Sequence, residues 1–63
     1  MTEVLSPQDV GERLRIAREA AKVTQAAAAA ALDVARTTVV AIEQGQRRAK
    51  VDELQRLASL YGT

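Results

Sequence analysis

Apolar residues recur at helical spacing in separate stretches of this 63-residue chain. Val10, Leu14, Ala17 and Ala21 form the first stripe, which predicts a helix over about 7–22. Its start is marked. Ser6 is placed to cap it, Pro7 suits the first helical position and Asp9 the third, while Leu5 and Val10 have the spacing of a hydrophobic staple. Residues 1–6 therefore read as a lead-in. Ile16 lies off the stripe and reads as an exposed residue or as cover for another element or partner.

Thr24 then caps a second helix over about 25–32, an alanine run with one leucine. Its low complexity suits a helix, because alanine has the best intrinsic propensity. Asp33 falls in the following turn, where a left-handed backbone is expected. A third helix spans about 36–44 and Gly45 stops it. Residues 46–50 (QRRAK) read as a polar basic loop. The fourth helix, about 51–61, turns Val51, Leu54, Leu57, Ala58 and Tyr61 inward, sets Asp52 and Glu53 against the helix dipole, and ends at Gly62. No strand alternation and no longer repeat is visible. The expectation is one all-α domain over residues 1–63 with four short helices, and a fifth if the native chain continues as part of a larger regulator.

Composition narrows the functional classes. The hydrophobic share is 48% but rich in alanine, and Tyr61 is the only aromatic residue, so Val, Leu and Ile must build a core that is marginal at this size. There is no cysteine and no histidine. Thiol catalysis, disulfides, zinc clusters and the usual general base are thereby removed, and no cofactor is expected. No glycine-rich phosphate loop occurs, and so small a fold leaves little room for a pocket. The chain does not read as an enzyme. No heptad pattern persists, which argues against a coiled coil. No apolar run approaches the ~20 residues of a membrane span and the N-terminus lacks a signal pattern, so a cytoplasmic location is expected. The net charge of +1 and pI near 8.3 fall below the pI above ~9 of domains that bind nucleic acid mainly by charge.

The third helix carries two stripes. Val39, Ile42 and Glu43 lie on one side, and Arg36, Thr37, Val40, Ala41 and Gln44 on the other. A helix packed through one stripe and presenting small, donor-bearing side chains on the other can lie in a DNA major groove. With Leu14 and Arg18, the Thr24–Gln25 opening, Ala29 facing the turn, Val39, Ile42, Glu43-x-Gly45 and the amphipathic last helix, residues 10–62 resemble the Cro-type (XRE-type) helix-turn-helix domain of phage and bacterial repressors. The resemblance implies a lambda-repressor-like fold with the helix-turn-helix at residues 25–44. It also implies an ion pair between Arg18 and Glu43, whose loss, if buried, would strand a charge. Ala29 must be small where two helices meet steeply.

The same resemblance assigns DNA roles. Gln25, opening the second helix, can bond a phosphate where helix amides favour the anion. Arg36 can pair with guanine or neutralise a phosphate; Thr37 can donate to a base or a phosphate, and Thr38 is better placed toward the backbone. Val40 and Ala41 can touch thymine methyls, or Val40 can pack against another protein. Gln44 can reach a base edge or a phosphate. Arg47, Arg48 and Lys50 track the backbone or are solvated loop charges. Three residues depart from the family pattern: Asp33 replaces the usual turn glycine, while Ala35 and Lys50 stand where caps are expected. Modest stability or affinity should follow. The implied function is sequence-specific binding of double-stranded DNA by a transcriptional repressor or regulator, as a homodimer on a palindromic operator. The alternative is a protein-interaction module on the same fold, such as an antitoxin-like or anti-regulator domain, with a protein partner.

Overall fold

The computed structural model describes residues 5–62, so most of the anticipated lead-in lies outside the described residues. Among those residues the chain forms four helices and no strand: α1 (Pro7–Ala20), α2 (Gln25–Leu32), α3 (Arg36–Glu43) and α4 (Val51–Tyr61). α1 starts on a reciprocal capping box. The Asp9 amide donates to Ser6 Oγ at 3.1 Å, and the Ser6 amide donates to Asp9 Oδ2 at 3.2 Å. Two amides that helix geometry leaves orphaned are thereby satisfied. At α2 the Ala27 amide donates to Thr24 Oγ1 at 3.0 Å.

The ends of the first three helices share one closure. α1 stops at Ala20, short of the predicted Lys22, because Lys22 takes φ 58°. Its amide then donates to Glu19 O at 3.0 Å and the Val23 amide to Arg18 O at 3.1 Å. Asp33 (φ 57°) closes α2 in the same way, with the Val34 amide donating to Ala29 O at 3.0 Å. Gly45 (φ 78°) closes α3, with the Gln46 amide donating to Ala41 O at 2.9 Å. This closure demands a left-handed residue. Lysine and aspartate adopt it at a cost of about 1 kcal/mol each that glycine avoids.

The core gathers Ala28, Ala29 and Leu32 of α2, Val39 of α3, and Leu57 and Tyr61 of α4, with Leu14, Ala17, Val23 and Val34 packed against it. The buried alanines let α2 approach its neighbours closely. α1 reaches α3 still more tightly, through Gly11. A Cβ there would lie 2.3 Å from Ile42 O and 2.6 Å from Glu43 O, so only glycine permits this backbone-to-backbone crossing. Val51 was placed inward by the sequence pattern, but it is 72% exposed. The inward line of α4 runs through Glu53, Leu57 and Tyr61, each four residues apart, and Val51 falls off that line.

The axes of α2 and α3 turn through 107°, within the range of a helix-turn-helix. No single described helix is long and apolar enough to cross a membrane. Ala28, Ala29, Leu32, Val39 and Ile42 of the bent α2–α3 pair are buried in the domain's interior.

Candidate nucleic-acid interface

α3 separates its two stripes as its spacing demands. Val39 and Ile42 are each 2% exposed and Glu43 is buried beside them. On the other side Arg36 and Thr37 are exposed at the first turn, Thr38, Val40 and Ala41 are half-buried, and Gln44 is exposed just past the helix end. Ala35 makes no side-chain cap bond. The Thr38 amide, at the position that Thr24 serves in α2, donates to the Ala35 carbonyl at 2.9 Å instead of to a cap side chain.

Glu43 joins three helices. Arg18 Nε donates to Glu43 Oε2 at 2.6 Å and Arg18 Nη2 to Oε1 at 3.3 Å. Gln25 Nε2 donates to the same Oε1 at 3.1 Å, and Arg18 Nη1 donates to Val23 O at 2.9 Å. The bonds to Glu43 hold the Arg18 guanidinium above its ordinary range, against the opposing effect of burial. The network fixes α1 and the start of α2 against the last turn of α3. Gln25 is half-buried and spends one amide proton on Glu43. An amide nitrogen carries two protons, so the other remains for an outside acceptor.

A second buried carboxylate was read from the sequence only as a charge favourable to the helix dipole. Glu53 is 6% exposed. It accepts from Arg47 Nη1 at 2.9 Å and Nη2 at 3.0 Å, and from the Lys50 amide at 2.9 Å. These donors hold its carboxyl below the usual glutamate value, the Arg47 guanidinium contributing most. Lysine has no side-chain acceptor, so the start of α4 is capped from one side alone, by Glu53. The visible signal was its position, four residues before Leu57 and eight before Tyr61, on a line that otherwise reads as core.

The basic loop is consequently divided. Arg47 is committed to Glu53, and Arg47 and Arg48 line a small cavity of about 120 Å³ with Leu5, Val10, Ala49 and Leu54. Arg48 and Lys50 are exposed. Gln25, Val40 and Gln44 share a different, open cleft of about 420 Å³ between α1 and α3. Gln8, Glu12 and Arg15 of α1 line it as well, and none of these was singled out from sequence. The loop cations do not line that cleft.

A model of the helix-turn-helix domain family matches residues 9–63 of the chain. No curated protein matches it.

Proposed function

The chain belongs to the helix-turn-helix domain family, of the XRE/Cro-like DNA-binding type, and from that premise we propose that it regulates transcription as a repressor. It binds a palindromic operator as a homodimer, with α3 of each copy in the major groove and half-site centres about one helical turn, ~10 bp, apart. The carrying observation is the 107° turn between α2 and α3, which leaves Arg36 and Thr37 exposed while Val39, Ile42 and Glu43 anchor the helix from behind.

Arg36 and Thr37 read base edges, and Val40 and Ala41 meet thymine methyls. The second amide proton of Gln25 takes a phosphate at the start of α2, where the helix amides already favour an anion. Thr38, Gln44, Arg48 and Lys50 add contacts along the backbone, which position without specifying. Arg47 acts through Glu53 by holding the loop in place.

Selection of duplexes from a random pool, followed by anisotropy titration, tests the reading. Replacing both Arg36 and Thr37 by alanine should weaken the selected duplex at least tenfold, since one good base pair of contacts contributes about 1–3 kcal/mol. It should also flatten the sequence preference. Unchanged affinity and preference would remove α3 from the groove. Ile16, 54% exposed on α1, favours a second reading, a protein-interaction module. Salt-insensitive binding of a protein, with no duplex enriched, would put that reading first.

A further inference from the structure

We propose that Arg15 is a further phosphate-binding side chain, held back from the DNA backbone by Glu12 and Glu19 until a phosphate displaces them. This rests on the DNA reading above and extends its surface to α1.

Arg15 lines the same open cleft as Gln25, Val40 and Gln44, so it stands beside the groove-facing stripe of α3 and the start of α2. Each of its three guanidinium nitrogens donates to a carboxylate, which occupies three of its five N–H groups. Nη2 and Nε bond Glu12, the latter at 3.3 Å, and Nη1 bonds Glu19 Oε1 at 2.8 Å. All three side chains are open to solvent, at 39%, 53% and 55% exposure for Arg15, Glu12 and Glu19. Ion pairs so exposed contribute little net stability and exchange readily. A phosphate brought alongside by docking of α3 offers the same planar fork an equally good bidentate partner.

The charge balance gives the arrangement its effect. Within the trio Glu12, Arg15 and Glu19 one cation stands between two carboxylates, a local net −1 whose Glu12 and Arg15 line the cleft beside the site assigned to a phosphate. The bond to Arg15 keeps Glu12 ionised below the usual glutamate range, so the negative charge persists at neutral and mildly acidic pH. Glu43 adds no comparable repulsion, because Arg18 bonds it at 2.6 Å and stands farther, at 3.9 Å, from Glu19. Glu12 and Glu19 are thus positioning residues that lower the affinity of any duplex, specific or not, and Arg15 is the contact they withhold.

The test uses the full chain and a random-sequence duplex of about two helical turns, titrated by anisotropy across a salt series. Glu12→Gln with Glu19→Gln should tighten binding about tenfold at low salt and steepen the log–log salt slope by about 0.9, the increment for one further phosphate. Adding Arg15→Gln should abolish both gains. Two results overturn the proposal alone: a double variant that binds as the wild type does, or a gain that survives the loss of Arg15 and so reflects charge removal at a distance. A wild-type chain that binds no duplex overturns the DNA reading and this proposal together.

Discussion

Glu43 and Glu53 are both buried, both stand on the inward face of a helix and both are bonded by an arginine. They differ in reach. Glu43 meets Arg18 from 25 positions away, with the arginine side chain only 11% exposed, and takes Gln25 as well. Glu53 meets Arg47 from six positions away, with that side chain 33% exposed, and otherwise bonds the adjacent Lys50 amide. The first pair sets the angles between α1, α2 and α3 on which the proposed DNA-facing surface depends. The second holds one loop to the helix that follows it. Burial of both partners makes a broken pair costly, because the survivor is stranded out of water. Where water reaches one partner, that penalty falls.

The largest effect should therefore come from Glu43→Gln. Stranding Arg18 should cost about 3–5 kcal/mol, as much as a core of this size supplies in total. Urea titration followed by circular dichroism should find the variant largely unfolded in buffer. A loss below about 1 kcal/mol would place the Arg18–Glu43 pair with ordinary surface pairs and erase the contrast with Glu53.

Gly11→Ala attacks the same junction without touching a charge. The added Cβ meets the carbonyls of Ile42 and Glu43, which are backbone and cannot rotate aside. α1 must back away from α3, at a cost toward the upper end of the about 1–3 kcal/mol range for overpacking. That retreat also stretches the bonds to Glu43, so Gly11→Ala and Glu43→Gln should combine less than additively. Additive losses in a double-mutant cycle would separate the helix contact from the ion pair.

Glu53→Gln should be milder, since glutamine can still accept from the Lys50 amide and only the charge pair is lost. Its pH dependence identifies it. The folded-state carboxyl titrates below the 4.5 of a free glutamate, so the stability it contributes is whole above that value and is lost as pH falls through the lower folded-state value. The stability gap between wild type and Glu53→Gln should be full at neutral pH and close below about pH 4.5, with the other carboxylates common to both chains. A gap independent of pH would mean that packing, not charge, distinguishes the two residues.

The same contrast explains what could be read from the chain alone. Four helices were legible because apolar spacing and capping residues are local signals, and Ser6, Thr24, Gly45 and Gly62 announce their ends without tertiary information. The Arg18–Glu43 pair was legible only through likeness to a family, since nothing local links residues 25 positions apart. Glu53 was legible only in part, because a carboxylate in the first turn already has a sufficient reason in the helix dipole, and its second role depends on where Arg47 folds back. Gly11 and Arg15 escaped for a related reason. A glycine within a helix and an arginine between glutamates carry no mark of the neighbour they will face.

Tyr61 offers the smallest and finest probe of the first pair. The residue is 7% exposed, and among the described residues its hydroxyl oxygen has no hydrogen-bond partner. Burial, and then the charge of Glu43, push the phenol above its ordinary value, while Arg18 pulls the other way. The hydroxyl thus lies within the field of the pair without belonging to it. A buried hydroxyl left unbonded costs about 1–3 kcal/mol, so Tyr61→Phe should leave stability unchanged or raise it by about 1 kcal/mol in the same urea titration. A loss of that size instead would mean that the hydroxyl bonds the pair in solution. Arg18, Glu43 and Gln25 would then no longer suffice to account for how α1, α2 and α3 are held together.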